Sequence, residues 1–211
     1  MRKLVLKMSM SIDGFVAGPN GEIDWMFKTR DDAAAAWIVG GLLQCDVHIM
    51  GSRTFRDMAA YWPTSTEVFA APMNAIPKIV FSRTGLDAPD ASGTTQGLND
   101  AMRARPVPAA DPAALGAGGW TTPLVASGDL AEEIARLKAQ EGKDIMAHGG
   151  ASFAQSLARS NLIDEYRLVV YPVALGKGLP LFGGLTTPLD MKLVSATVFS
   201  TGVVAQVYRP A

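Results

Sequence analysis

The run Asp144-Ile145-Met146-Ala147-His148-Gly149-Gly150-Ala151-Ser152-Phe153 carries a short apolar strand into paired glycines and straight on into a helix start. Glycines at such a junction remove the Cβ atoms that would hold a ligand off the backbone. The helix start presents unpaired N–H groups and the positive end of its dipole to an anion. Ser152 and Gln155 are spaced as a capping box. The segment reads as a diphosphate cradle, with a plain Gly-Gly turn as the other reading of the same residues. Gly51-Ser52-Arg53-Thr54 is a second passage from strand to helix, with the helix beginning near Phe55, and Ser82-Arg83-Thr84 closes a third short strand. Both place an arginine between hydroxyl residues, a set suited to a phosphate ester because the guanidinium fork donates to two oxygens. Asp13-Gly14 follows the first strand. Ligands of open α/β sheets bind outside the C-terminal strand ends, where all four features fall. A ligand with a diphosphate and a separate phosphate matches this layout, as NADPH does, and His148 is placed to line the same site.

Acid–base chemistry has candidates in Asp13, Asp24, Asp31 and Asp32. Asp24 precedes Trp25 and Met26, an apolar setting that would raise a carboxyl pKa on burial. Asp31 and Asp32 equally suit the acidic first turn of a helix. His48 sits inside an apolar strand and reads as structural, and Cys45 reads as a small core residue. One cysteine and two distant histidines give a metal nothing to build on. No Gly-x-Gly-x-x-Gly follows the first strand, so the usual dinucleotide fingerprint is missing.

The positioning elements follow from periodicity. Residues 2–10 alternate Lys3, Val5, Lys7 and Ser9 against Leu4, Leu6, Met8 and Met10, a strand with one apolar face. Residues 31–43 predict an alanine-rich helix, Val47–Met50 and 77–81 short strands, and 86–121 a long surface excursion with one short helix around 99–105. A strand at 123–126 leads to a helix over 130–140, capped by Asp129 and Glu132, with Leu130, Ile134 and Leu137 on one face. A strand over 166–173 follows the cradle helix, and 189–199 with 203–209 form an antiparallel pair. This order predicts one α/β domain over 1–211 on a mostly parallel sheet with antiparallel C-terminal strands.

Composition narrows the class. With 48% hydrophobic residues, 18% charged and a formal net charge of −1, the chain suits a globular enzyme and offers no cationic face for nucleic acid. No apolar run reaches the roughly 18 residues of a membrane span, and the apolar part of the N-terminus is too short for a signal peptide. The cytoplasm is the expected location.

With these elements in place the chain resembles the dihydrofolate-reductase-like superfamily, a three-layer sandwich, and most nearly the reductase domain of the riboflavin-biosynthesis deaminase–reductase. The residues that carry the resemblance are Ser11-Ile12-Asp13-Gly14, Ile49-Met50-Gly51-Ser52-Arg53-Thr54-Phe55 and Ile79-Val80-Phe81-Ser82-Arg83-Thr84. They continue through Asp144–Gly150, Leu162-Ile163-Asp164-Glu165-Tyr166 and Tyr171-Pro172-Val173-Ala174-Leu175-Gly176-Lys177-Gly178. The resemblance implies an NADPH-dependent reductase similar to 5-amino-6-(5-phosphoribosylamino)uracil reductase, acting on a small heterocyclic or pyrimidine-like substrate, as a homodimer. It implies adenosine-side phosphates on Gly51, Ser52, Arg53 and Thr54, and the 2′-phosphate on Ser82 and Arg83, beside Thr84. Gly149, Gly150, Ala151 and Ser152 would hold the diphosphate, with Asp13 near nicotinamide and substrate and Asp24 near the substrate ring. Ser52 departs from the pattern, since relatives commonly carry Arg directly after the motif glycine. The zinc-deaminase half is missing from this sequence. Two rival readings are a dihydrofolate reductase, which needs a first-helix carboxyl that only Asp31 or Asp32 could supply, and a nucleotide-binding module without catalysis.

Overall fold

The computed structural model describes residues 1–86 and 118–211. Strands β1 (Leu4–Ser11), β3 (Cys45–Gly51), β4 (Lys78–Phe81), β5 (Leu124–Ala126), β6 (Asp144–Ala147), β7 (Glu165–Tyr171), β9 (Met191–Val198) and β10 (Val204–Pro210) form one eight-stranded sheet in the order β5-β4-β3-β6-β1-β7-β10-β9. Neighbours from β5 to β7 run parallel, whereas β10 is antiparallel to both β7 and β9. Short strands β2 (Phe15–Ala17) and β8 (Leu179–Pro180) pair separately. The α/β class and the antiparallel C-terminal edge expected from the sequence are both present.

Helices cover both faces. On one face α5 (Leu130–Ala139) and α6 (Ala151–Arg159) bury Ile134, Leu137, Ala154 and Leu157 against Leu4, Leu6, Ile49, Ile145 and Tyr166. On the other, α1 (Asp32–Leu42), α2 (Ser52–Tyr61), α3 (Ala70–Ala75) and α4 (Gly118–Thr121) contribute Leu42, Phe55, Met73 and Trp120 to a cluster with Met50, Val80 and Met146. Ala34 and Trp37 of α1 pack on Val169 and Ala205. Burying this apolar surface is the main force holding helices to the sheet.

The strand expected over residues 2–10 forms as β1 with Leu4, Leu6 and Met8 buried on one face. It lies between β6 and β7 with helices on both sides, so Lys7 and Ser9 point into a covered side as well. The capping box expected at Ser152 does not form: Gly150 is the N-cap of α6, no side chain caps it, and Gln155 donates to Pro180 O. By contrast Asp129 caps α5 as expected, accepting from Ala131 and Glu132 N–H. Helix α2 starts at Ser52, three residues before the expected Phe55. The helix expected around 99–105 lies outside the described residues, while the end of the excursion, 118–121, is α4.

Candidate functional site

Parallel strands bring all their C-terminal ends to one edge of the sheet, and there the predicted residues converge. Strands β3 and β6 are neighbours and stay zipped beyond their ends: His148 N–H donates to Ile49 O at 3.0 Å and Gly51 N–H to Gly149 O at 3.3 Å. The starts of α2 and α6 are thereby held side by side. Gly149 has φ of +86° and is followed by a cis peptide to Gly150. A Cβ on Gly149 would lie 2.8 Å from Met8 Sδ, and one on Gly150 would lie 2.9 Å from Thr54 Oγ1. Gly149 is thus favoured by its positive φ and Gly150 by its close packing on Thr54.

Side-chain capping separates the helices. Asp31 caps α1 and Asp129 caps α5, but α2 and α6 begin on Gly51 and Gly150 with no side-chain cap. Their first N–H groups, on Ser52, Arg53 and Thr54 and on Ala151 and Ser152, have no intrahelical acceptor. Two adjacent uncapped starts form an anion-binding arrangement. One strand further out, Phe81 pairs with Gly51 in register, so Ser82, Arg83 and Thr84 leave the sheet beside α2. Ser82 Oγ donates to Gly85 O at 2.7 Å, which turns the loop back, and Arg83 is exposed with no hydrogen bond or ion pair among the described residues.

The carboxylates behave differently from expectation. Asp13 accepts from Leu175 N–H at 3.1 Å and Gly176 N–H at 2.7 Å, anchoring the loop after β7 across the end of β1. A hydrogen bond from Ser11, then those from the 175–176 backbone, hold its carboxyl below the usual range, outweighing a small desolvation effect. Asp13 is therefore a firmly ionised loop anchor. Asp24 opens a 3-10 turn (Asp24–Lys28), is exposed and lies 3.7 Å from Lys28 Nζ, so it is not enclosed by its apolar neighbours. Asp31 is engaged by Ala34 N–H and by Thr201 N–H and Oγ1, which ties α1 to the β9–β10 turn. Asp32 is exposed beside Arg30. Neither supplies the inward carboxyl that a dihydrofolate reductase needs.

A group that the sequence reading passed over lies on the covered side of β1. Lys7 Nζ donates to Ser9 Oγ at 3.3 Å, Ser9 bonds Tyr171, and the Tyr171 ring meets Trp25 edge-on at 5.6 Å. Register places Lys7 just past the Leu6↔Ala147 pair, beside His148. Burial lowers the Lys7 ammonium from its ordinary 10.5 to about 8. His148 is lowered to about 3 by burial and then by the charges of Lys7 and Lys78, and His48 is pushed well down for the same leading reason. Both imidazoles are neutral at ordinary pH, their rings 4.4 Å apart. A lysine on a strand flanked by parallel neighbours was the available signal, but it depends on knowing that β1 is central.

Comparison with known proteins agrees with this geometry. The family model described as the RibD C-terminal domain matches residues 2–205, and the chain belongs to that family. It is 29% identical to the uncharacterized protein YyaP of Bacillus subtilis over 214 residues, covering 99% of this chain and 95% of that one. It is 24% identical to the riboflavin biosynthesis protein RibD of Corynebacterium ammoniagenes over 92% of its own length, but spans only 49% of that protein. Among solved structures, a putative riboflavin biosynthesis protein from Shewanella sp. PV-4 superposes with a TM-score of 0.69 at 21% identity, covering 100% and 99% of the two chains. The dihydrofolate reductase of Enterococcus faecalis, complexed with NADP(H), gives a TM-score of 0.57 at 12% identity over 99% and 96%. The fold is dihydrofolate-reductase-like.

Proposed function

We propose that this member of the RibD C-terminal domain family is an NADPH-dependent reductase of a small heterocyclic, pyrimidine-like substrate, similar to 5-amino-6-(5-phosphoribosylamino)uracil reductase. The observation that carries the reading is the pair of uncapped helix starts, α2 and α6, hydrogen-bonded together at the C-terminal edge with Arg83, unpaired among the described residues, one strand away. A diphosphate would lie on the N–H groups of Gly150, Ala151 and Ser152, the adenosine-side phosphates on Ser52, Arg53 and Thr54, and the 2′-phosphate on Ser82, Arg83 and Thr84. The bound cofactor supplies the hydride, and the protein's part is to orient, exclude water and deliver a proton.

Lys7 is the proposed proton donor. An amine pulled to about 8 gives up a proton near neutral pH far more readily than an ordinary lysine. The proton passes to the oxygen or nitrogen of the C=O or C=N whose carbon receives the hydride, leaving an alcohol or amine. His148 and Ser9 would position the Lys7 amine, Trp25 and Tyr171 would flank the substrate ring, and Asp13 would keep the 172–178 loop over the site. Asp24 remains the second proposed carboxylate, acting at the rim. We further assign residues 1–211 to one cytoplasmic domain that dimerises through β9, an edge strand exposing Leu193, Val194 and Val198.

The test is fluorescence titration with NADPH and NADH, followed by NADPH oxidation with a ribosylaminopyrimidine and with dihydrofolate. Saturable NADPH binding with turnover of the pyrimidine alone is expected. No saturable signal would end the reading. Tight binding without turnover on any carbonyl or imine would favour a nucleotide-binding module.

A further inference from the structure

A cavity of about 510 Å³ opens at the opposite edge of the sheet, beneath the N-terminal ends of β3, β4 and β5. Its walls come from Val47, Ile79 and Leu124 on the strands, Leu137 near the end of α5, and Pro77. The size and apolar lining suit a small molecule, provided a few polar groups converge on it. Three polar side chains on its wall are almost fully buried: Asn74 at 0% exposure, Lys78 at 2% and Arg2 at 9%.

Hydrogen-bond accounting shows what this wall lacks. Asn74 is saturated, donating to Trp62 O at 3.0 Å and accepting from Trp120 Nε1 at 2.8 Å. Lys78 Nζ donates to Met73 O and Ile76 O, closing the C-terminal turn of α3, and lies 4.3 Å from the centre of the Trp120 ring. An ammonium has three donors, so one is left over. Arg2 donates from Nε to Lys143 O and from Nη2 to Asp46, which leaves Nη1 without a partner among the described residues. Asp46 already accepts from Arg2 and from Lys143 N–H at 2.8 Å. The charged groups on the wall are therefore Arg2, Lys78 and Asp46, with one positive charge in excess and donors without acceptors.

We propose that this cavity is a second binding site, for a small monocarboxylate with an apolar body. The carboxylate would accept from the free donors of Lys78 and Arg2, and the body would lie against Val47, Ile79, Leu124 and Leu137. Burial lowers Lys78 to about 7, the response of an ammonium enclosed without a counter-ion, and a bound carboxylate supplies one. The site lies at the strand ends remote from Gly51 and Gly149, so it is separate from the nucleotide cradle.

The experiment titrates octanoate, octanol and octylammonium into methyl-labelled protein and follows Ile79, Leu124 and Leu137 by NMR, with and without saturating NADP+. Octanoate should give saturable shifts at those methyls, at least about tenfold tighter than the alcohol or the amine, as a charge-assisted hydrogen bond implies. Its affinity should fall by about tenfold per pH unit above pH 7, where the carboxylate must recruit a proton to Lys78. Lys78→Met should abolish both the preference and the pH dependence. If that variant does not fold, the comparison of the three ligands on the native chain still decides. Equal binding of octanol and octanoate, no saturable shift, or competition with NADP+ would overturn the proposal. Failure of NADP+ itself to bind would instead remove the reductase reading and leave this site standing.

Discussion

Gly150→Ala is the perturbation whose outcome the coordinates define most closely. The added Cβ would lie 2.9 Å from Thr54 Oγ1, a separation that real Cβ atoms essentially never show. About half an ångström of movement is needed, and Thr54 resists it because a β-branched side chain is stiff at χ1. Turning it off its rotamer costs about 0.5–1.5 kcal/mol, and overpacking of a tight contact about 1–3 kcal/mol, so a loss on the order of 1–3 kcal/mol is expected. Thr54→Ala removes the offending oxygen. The double variant should therefore recover most of the loss, with a coupling of at least about 1 kcal/mol in a double-mutant cycle. Urea denaturation of the four proteins measures this without reference to any ligand. Gly149→Ala serves as the control: its φ of +86° and its approach to Met8 Sδ at 2.8 Å leave it damaging in either background. Additivity of Gly150→Ala and Thr54→Ala to within about 0.3–0.5 kcal/mol would show that the glycine does not answer to Thr54.

Arg83→Ala should weaken NADPH by roughly tenfold or more, the loss of an exposed charge-assisted contact, and leave NADH unchanged; equal losses for both would remove Arg83 from the 2′-phosphate. Lys7 should contribute stability that grows as pH rises from about 8 to 10.5, because the unfolded Lys7 binds a proton that the folded one has released; the melting temperature of wild type relative to Lys7→Met should therefore rise across that window. Asp13→Asn should lower the melting temperature near neutral pH and converge with wild type as acid protonates Asp13, the sign expected for a carboxyl held below its ordinary range; parallel curves at all pH values would contradict its role as loop anchor. Asp31→Ala should lower the melting temperature by freeing both the α1 cap and the Thr201 contact, with no change in NADPH affinity.

The meeting of the proposed cradle segments at one sheet edge was legible because glycines and strand-to-helix junctions are local signals. The run at 144–153, the Gly51 passage and the Ser82-Arg83 loop all fell where the sheet brings strand ends together. Local signals also misled. Ser152 and Gln155 have the spacing of a capping box, yet the helix starts two residues earlier than such a cap allows. The setting of Lys7 was hidden because it depends on strand order. Lys7 looks like a solvent-facing residue until β6 is inserted on one side of β1 and β7 on the other. The partners that hold Asp13 and Asp31, namely Leu175, Gly176 and Thr201, leave no local signal because they are far away in sequence. The cavity below β3–β5 has no sequence signature at all.

The place of β6 between β3 and β1 has a consequence for synthesis on the ribosome. Until residues 144–147 emerge, β1 has no partner from the preceding chain in the main sheet, and β3 to β5 can assemble only as a separate fragment. The strand that joins these two halves is the one that ends in the paired glycines. Joining the two halves and bringing the starts of α2 and α6 together are thus one event, set by pairings far apart along the chain, which makes it slow. A nascent or truncated chain lacking that strand would leave the edges of β1 and β3 open to pairing with other molecules.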